Sequence, residues 1–520
     1  MPNPSPVIGV PIPRIEGADK VSGRALYAAD VALPGTLWAK ILRSPYPSAR
    51  IVHVDVSAAW EVPGVRAVIS GKDVEGHRWG RRFRDMPVLC WDRVRFVGDR
   101  VAAVAADTLD AAEEALQRIE VEYEELPAVF DPLEAMQPGA PLVHDDISQY
   151  EEIQKDVMIP EVPNGISRMV WQKGNLEKGF QEADLVVEHT FRIPSRHHGY
   201  LEPHTGLVAI DESGRVQVWT ASKSPFGSRS QLAKAVGLPD EQVLVHPVHV
   251  GGDFGGKGDA LDLPIAYFLA KQSGRPVRIV MTYLEELLAS NPSHETVVLI
   301  RTGLKRDGRM VARYLQAVHN SGAYGAMKPL PHVGIGGAVH GGGPYRIDNT
   351  LFEAIQVYTN TVPAGFFRAP GAPQINFAVE SHTDLIAKEL GMDPARFRLQ
   401  NIMEEGDENA VGERLRGVKA RETLEAALQK AGWDKPKPGP NYGRGIAMYE
   451  RHVGAGPSSA AISLREDGSF AVISPTVDQG GGIHTVLQQI VAEEMQVPLE
   501  RVQVVVGDTD TMPPDMGVGG

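Results

Sequence analysis

The chain has 520 residues, of which 42% are hydrophobic and 23% charged, proportions typical of a soluble globular protein with two or more domains. Its formal net charge of −14 argues against a general nucleic-acid-binding role. Cys90 is the only cysteine, which excludes a disulfide framework, a four-cysteine zinc site and an iron–sulfur cluster held by this chain alone.

The first elements in chain order are an arm, a compact unit and a linker. Five prolines within residues 1–20 predict an extended arm on a neighbouring surface or subunit. Residues 21–132 alternate short strands with turns and include one amphipathic helix that begins at Thr108 or Asp110. The polar, proline-containing residues 133–170 predict a linker. Neither a secretory signal nor an apolar run of bilayer length is recognisable, so we expect a cytoplasmic protein with no membrane span.

The remaining sequence predicts two further α/β regions with a boundary between them. Residues 171–405 mix strand patterns with a helix at Gln374–Leu390. Residues 406–440 contain a helical stretch and close with PKPGP, which indicates a boundary segment. Residues 441–520 predict two strands, a helix and a last strand.

A glycine-rich loop between a predicted strand and a predicted helix is the first candidate ligand site. It lies in the segment from His246 to Gly274 and departs from both the dinucleotide fingerprint and the P-loop pattern. Glycines let backbone N–H groups approach a ligand closely, and a helix start favours anions. A plain flexible turn explains the pattern equally well. The glycines concerned are Gly251, Gly252, Gly255, Gly256 and Gly258.

Two later loops repeat this arrangement. Arg368 precedes a Pro-Gly turn and an amphipathic helix, where it could face an anionic ligand or simply be a surface arginine. Gly480–Gly482 precede another helix, as an anion cradle or a hinge. Three such loops far apart in sequence suggest one large anionic ligand held between domains. A metal cluster in the HHGYLEPH segment is a weaker alternative, because His197 and His198 would face opposite sides of a strand.

Taken together, these segments resemble the large molybdenum-cofactor subunit of the xanthine dehydrogenase/aldehyde oxidase family. The resemblance rests on DKVSGRALYAADVALPGTLWAKILRSPYPSARIVHVD, HHGYLEPH, GGDFGGK, FFRAPGAPQ and GGGIHT, which occur in the family's order. It implies an α+β fold in which an a/b hammerhead domain is followed by molybdenum-cofactor-binding α/β domains. Residues 171–405 would form the first of these domains and 441–520 the start of the second.

The resemblance also implies a cofactor and a set of residues that hold it. The cofactor would be molybdenum-molybdopterin in the cytosine dinucleotide form, with the Gly255 amide approaching an oxo ligand and Arg368 acting electrostatically near the metal. No protein side chain is assigned as a metal ligand. The implied cofactor-binding residues are Gly252, Asp253, Phe254, Gly255, Gly256, Phe367, Arg368, Ala369, Gln479, Gly480, Gly481, Gly482 and His484.

Four positions depart from the family pattern. Gly481 stands where relatives have a glutamine, and Lys223 stands where relatives often place another glutamine near the metal. Gly258 and Pro370 occupy the positions of a substrate-orienting glutamate and a stacking aromatic in purine oxidisers. We therefore expect Lys223, Gly258 and Pro370 to line a substrate pocket that does not take xanthine.

The resemblance finally implies an oxidoreductase acting on an electron-poor carbon of an aldehyde, N-heteroaromatic or aromatic substrate, by hydroxylation or dehydroxylation. The family's general-base glutamate has no counterpart in this sequence, so we expect it on a companion C-terminal molybdenum-binding chain. A small subunit with 2Fe-2S clusters and a flavin subunit carrying FAD are the other expected partners. The alternative is a non-catalytic cofactor-binding or scaffold paralogue.

Overall fold

The structure is a computed structural model that describes residues 7–152, 154–328, 330, 333–450 and 457–519. Its strands and helices alternate along the chain. The strands are β1 Leu37–Arg43, β2 Ala49–Asp55, β3 Val65–Ser70, β4 Arg78–Trp79, β5 Met86–Pro87, β6 Arg93–Val94, β7 Arg100–Ala106, β8 Glu120–Glu125, β9 Gly165–Lys173, β10 Leu185–Ile193, β11 Thr205–Ile210, β12 Val216–Thr220, β13 Val243–His246, β14 Val277–Val280, β15 Thr296–Leu304, β16 Met310–Asn320, β17 Asn349–Val357, β18 Ala461–Leu464, β19 Phe470–Ile473 and β20 Val502–Val505. The helices are α1 Gly17–Ser22, α2 Leu109–Gln117, α3 Pro132–Ala135, α4 Leu176–Gln181, α5 Pro225–Val236, α6 Leu263–Ser273, α7 Tyr283–Ala289, α8 Ala372–Glu389, α9 Pro394–Asn401, α10 Ala420–Ala431 and α11 Ile483–Met495.

The largest sheet among the described residues joins the first and second predicted regions. Its seven strands run in the order β13-β12-β11-β14-β1-β7-β3. The junction is the parallel pair β1–β14, in which Leu37 lies opposite Val277 and Ala39 opposite Ile279. One face of the sheet lies in a shared apolar core, in which residues from 37–166 and from 208–358 pack in the same cluster, while the other face of β3 and β7 packs in a separate cluster. The two regions therefore share a core as well as a sheet.

The other sheets are smaller and lie within single regions. A five-stranded sheet has the order β10-β15-β16-β17-β9 and packs against α8. The last region holds β18-β19-β20, with α11 packed on them. The strands β6-β2-β8 and the pair β4-β5 complete the first region. Helix α2 begins at Leu109, and the side chain of Thr108 before it accepts a hydrogen bond from Ala111 N, so the predicted cap is confirmed.

The predicted linker has more structure than its composition indicates. Within 133–170, Val143 and Ile166 are buried in the shared core and His144 is bound to Tyr150 and to the Ala323 carbonyl. A run of few apolar residues can still be core when each one is buried separately at a turn. The segment also contains the start of β9, so it is packed chain and not only a linker.

The N-terminal arm lies on the last region of the same chain. The amide of Ile15 donates to Thr485 Oγ1 (3.1 Å), and Gln489 Nε2 donates to the carbonyl of Val7 (2.7 Å). The predicted extended conformation is wrong at the end of the arm, where Gly17–Ser22 form α1 and Gly23 closes the helix in the left-handed conformation (φ 74°).

Candidate active site

The loop that follows β13 has a backbone that few side chains could adopt. Phe254 has φ +49° and Gly255 has φ +104°. A Cβ placed on Gly255 would lie 2.6 Å from the carbonyl oxygen of Phe366, which is backbone and cannot move aside easily. Only glycine fits at this position. The second predicted loop therefore lies directly against the first.

Asp253 holds the shape of this loop. Its Oδ2 accepts the amide of Gly255 (2.8 Å), and its Oδ1 accepts the amide of Lys257 (2.7 Å). The Gly255 amide, which the resemblance directs at an oxo ligand, is therefore engaged inside the loop. It would have to exchange this hydrogen bond to reach a cofactor. Lys223 Nζ lies 3.6 Å from Asp253 Oδ2, and its backbone amide donates to the carbonyl of Lys257.

The Arg368 loop is joined to the first loop by a hydrogen bond. The amide of Arg368 donates to the carbonyl of Phe254 (2.8 Å), and Ala369 follows with φ +60°. The Arg368 side chain is exposed, and its guanidinium has no hydrogen bond or ion pair within the described part of the chain. Phe367 packs on the ring of His198 (4.8 Å between centroids), and Pro370 is half-buried. The loop thus carries an exposed arginine side chain, and its backbone contacts that of Phe254, whose ring is half exposed.

The third loop reaches the first through Asp478. The amide of Val250 donates to the Asp478 carbonyl (3.2 Å), and the amide of Gly482 donates to its Oδ1 (3.0 Å). A Cβ on Gly480 or Gly481 would meet no atom within 4 Å, so open space faces these glycines. All three predicted loops are therefore brought together.

The side chains that flank these glycines differ in their freedom to bind a ligand. Gln479 Oε1 is buried without a hydrogen-bond partner among the described residues. His484 is less free, because its Nε2 donates to the carbonyl of Thr476 (2.8 Å). The carbonyl of Gly480 accepts Arg14 Nη1 from the N-terminal arm (2.6 Å). Gln479 is thus the polar side chain of this loop with hydrogen-bonding capacity to spare.

Only two of the three loops lead directly into the N-terminus of a helix. Helices α8 and α11 begin immediately after Gly371 and Gly482. Helix α6, by contrast, begins at Leu263, five residues after Gly258, and its first turn is buried. Asp262 in front of it is bound to Arg100 (Nε–Oδ1 2.5 Å) and to a second arginine, so a paired carboxylate of this chain already lies at this helix start.

Behind the first loop lies a buried charged cluster that sequence reasoning missed. His204 Nδ1 donates to Glu286 (3.0 Å) and its Nε2 donates to the carbonyl of Gly256 (3.1 Å). Glu286 also accepts the hydroxyl of Tyr200 (3.0 Å). Burial alone would lower the pKa of His204 and raise that of Glu286, but their mutual attraction wins in both directions and keeps both groups charged.

The HHGYLEPH segment contributes Tyr200 and His204 to this cluster and does not form a strand. His197 and His198 follow the end of β10, and their rings lie 5.9 Å apart, so the expectation of opposite faces is wrong. Burial lowers the pKa of His198 to about 4, and its neutral ring donates from Nε2 to the carbonyl of Phe366 (2.9 Å). Glu202 accepts both Lys257 Nζ (2.8 Å) and the amide of Gly251 (2.7 Å). Within the described ranges no group of three metal-ligating side chains occurs.

Three family models match successive parts of the chain. Residues 22–127 match the a/b hammerhead domain of aldehyde oxidase and xanthine dehydrogenase. Residues 158–402 and 419–520 each match a molybdopterin cofactor-binding domain. The predicted fold class, a hammerhead domain followed by molybdenum-cofactor-binding domains, is thereby confirmed.

Individual relatives match over most of the chain. The chain is 35% identical over 510 residues to a probable xanthine dehydrogenase subunit from Bacillus subtilis, covering 96% of this chain and 66% of that relative. It is 33% identical over 430 residues to the nicotinate dehydrogenase large molybdopterin subunit of Eubacterium barkeri, covering 82% of this chain and 96% of that relative. A crystal structure of the Cu,Mo-CO dehydrogenase superposes with a TM-score of 0.90 at 25% identity, covering 98% of this chain and 69% of that chain. The chain therefore belongs to the xanthine dehydrogenase/aldehyde oxidase family of molybdopterin-binding subunits.

Proposed function

We propose that this chain is the molybdenum-cofactor-binding subunit of a multi-subunit molybdenum hydroxylase-type oxidoreductase. Its substrate would be an aldehyde, N-heteroaromatic or aromatic compound that is hydroxylated or dehydroxylated at an electron-poor carbon. The observation that carries the proposal is the convergence of three distant loops, in which Arg368 N binds the Phe254 carbonyl and Val250 N binds the Asp478 carbonyl. The Arg368 side chain is exposed, and open space faces the backbone of Gly480 and Gly481.

The residues at the meeting point fit an anionic pterin cofactor. Gly480 and Gly481 leave room beside the backbone, and Gln479 Oε1 has an unused acceptor there. The Arg368 guanidinium offers a planar fork of donors suited to phosphate or dithiolene charge. When bound, the molybdenum cofactor supplies the two-electron redox chemistry. The cytosine dinucleotide form is the finer part of the proposal, and the open space beside Gly480 and Gly481 is consistent with a ligand larger than the pterin.

This chain's own residues would orient the substrate and hold the cofactor. Arg368 would fix negative charge at the reacting centre through donors that need no reorganisation. Phe254, Phe367 and Pro370 would supply apolar surface to the substrate pocket, with Lys223 and Gly258 on its polar side. Asp253 and the buried His204–Glu286 pair hold the loop that carries Phe254 in place.

Companion chains complete the proposal. We assign the family's general-base glutamate to a companion molybdenum-binding polypeptide. A chain with one cysteine needs partners for 2Fe-2S clusters, and we assign FAD to a flavin subunit. None of the described helices could cross a bilayer. We place the complex in the cytoplasm.

A second candidate is a cofactor-binding or scaffold paralogue without turnover. Two observations favour it: Gly481 provides no side-chain amide, and the Gly255 amide is engaged by Asp253. Both reduce the number of donors that can face the reacting centre. The two candidates predict the same cofactor content but different rates.

The test is to purify the chain with its co-expressed neighbours and analyse the intact complex. We expect about one molybdenum and one oxidised-pterin equivalent per copy of this chain, and dye reduction with an aldehyde or N-heteroaromatic substrate. A complex without molybdenum and pterin refutes both candidates. Full cofactor content with no turnover across the substrate panel refutes the enzyme and supports the scaffold. Mass spectrometry of the same preparation identifies the companion chains.

A further inference from the structure

Arg81, in the first region, packs against the loop that follows β13. Arg81 follows β4, and its backbone amide donates to the carbonyl of Ala326 (2.9 Å), which fixes the turn. Its side chain is only 10% exposed and its Nε donates to Asp259. Its Nη2 is buried and has no hydrogen-bond partner within the described ranges. A buried donor without an acceptor is costly unless a ligand supplies one.

The unpaired nitrogen faces the position where Gly258 has no side chain. A Cβ built on Gly258 would lie 2.6 Å from Arg81 Nη2 and 3.4 Å from Lys223 Cε. Lys223 is itself 16% exposed, and its ammonium has a carboxylate only at 3.6 Å. Because Gly258 has no side chain, the Arg81 guanidinium and the Lys223 side chain both pack directly against the backbone of this loop.

The neighbouring carboxylates are already occupied. Asp259 uses one oxygen for Arg81 and the other for Asn291 Nδ2 (2.8 Å). Asp253 accepts two backbone amides in addition to its long contact with Lys223. Arg81 keeps the two N–H donors of Nη2, and an ammonium carries three donors. Arg81 and Lys223 therefore have more hydrogen-bond donors than the neighbouring carboxylates can accept. A negatively charged acceptor would satisfy the remaining donors.

We propose that Arg81 and Lys223 form a subsite for the carboxylate of the substrate. This inference rests on the proposed function and narrows it to small aromatic or heteroaromatic carboxylates. The planar guanidinium binds one carboxylate oxygen through Nη2, and the ammonium binds the same group from the other side of Gly258. The carboxylate is thereby placed on the loop next to Phe254, with the ring directed toward the apolar part of the pocket.

The test measures equilibrium binding to the intact complex, so it does not depend on turnover. The probes are two matched pairs, benzoate with benzamide and pyridine-3-carboxylate with pyridine-3-carboxamide. The binding of each compound is measured by calorimetry. The native complex should bind each carboxylate at least about 10-fold more tightly than its amide. Arg81→Gln should abolish this preference, and Lys223→Gln should reduce it.

Controls keep the result interpretable. Arg81→Lys retains a cation for Asp259 but loses the free Nη2, so it should also lose the preference even if Arg81→Gln does not fold. Arg84→Gln, three residues away and paired with Glu151, should leave the preference intact. Equal binding of acid and amide by the native complex overturns the proposal.

The molybdenum and pterin content of the variants shows whether Arg81 binds a substrate carboxylate or a cofactor phosphate. If Arg81 held a cofactor phosphate instead, its variants would lose molybdenum and pterin, which overturns the carboxylate subsite. Loss of the carboxylate preference at unchanged cofactor content supports it. A complex that lacks molybdenum yet prefers carboxylates would contradict the proposed function while leaving the anion subsite in place.

Discussion

Glu286→Gln should loosen the loop that carries Phe254 without changing any residue in it. Glu286 is fully buried and accepts His204 Nδ1 (3.0 Å) and the hydroxyl of Tyr200 (3.0 Å). His204 in turn holds the carbonyl of Gly256. Removing one partner of a buried ion pair costs about 3–5 kcal/mol, because the other charge is left uncompensated. If this cost lowers the free energy needed to open the loop, the backbone amides of the loop should exchange with solvent about 100-fold faster or more.

Hydrogen exchange followed by mass spectrometry on a peptide covering 250–260 measures this effect directly. The matched control is Glu285→Gln on the preceding residue of α7, whose carboxylate binds Lys40 (2.7 Å) and has no hydrogen bond to His204. It removes the same charge from the same helix and should leave exchange of the loop unchanged. Equal exchange in the Glu286 variant and the native chain would refute the idea that this pair supports the loop.

The pH dependence gives a second check with a definite sign. The folded-state pKa of Glu286 lies below its ordinary value, so its stabilisation is present above about pH 4.3 and is lost as the pH falls below that. The pKa of His204 is raised by Glu286 against the effect of burial, so its stabilisation is present below about pH 6.5 and is lost as the pH rises through the raised value. The difference between native and Glu286→Gln protection should therefore be largest between these limits. A difference that does not vary with pH would contradict a charged pair.

Three further substitutions test the loops themselves. Arg368→Lys should keep molybdenum content but lose on the order of 10²-fold in turnover per molybdenum, because the planar fork is lost; unchanged rates would remove this residue from the active site. Gly255→Ala should lower the free energy of unfolding by about 1–3 kcal/mol or more, because Gly255 has a φ of +104° and an added Cβ would contact the Phe366 carbonyl. Gly481→Ala is the control: its added Cβ meets open space, so the loss measured in the same denaturation series should be much smaller. Asp262→Ala strips a carboxylate from two buried arginines and should cost about 3–5 kcal/mol by the same measurement.

Local elements were predictable because their signals are local. The short strand-like runs Val65–Ser70 and Val216–Thr220 coincide with β3 and β12, and the helical stretch Arg421–Ala431 falls within α10. Pairing between distant strands leaves no such signal. The contact of β1 with β14 depends on two short apolar runs that many other runs in the chain resemble. Their burial in a common core is decided by the packing of the whole sheet.

The predicted linker shows how composition hides a packed segment. Residues 133–170 are rich in polar residues and prolines, which usually indicates exposed connections. His144 nevertheless has both ring nitrogens bound, to Tyr150 and to the Ala323 carbonyl, and burial lowers the pKa of its ring. A polar residue is tolerated in a core when its hydrogen bonds are satisfied, and no sequence pattern reports that partnership.

Some residues of the candidate site could be predicted from the sequence and others could not. Its glycines and Arg368 could be found from the sequence, because special backbone angles and a family motif mark them. The residues that give the loops their shape could not, since Asp253 and Asp478 look like ordinary loop carboxylates and Glu286 lies on a helix some 30 residues beyond the loop it supports. Glycine gives a loop freedom but not shape, so each open backbone segment needs acceptors to hold its amides. Function should therefore depend on these carboxylates as strongly as on the glycines, through the positions of the groups that would touch cofactor and substrate.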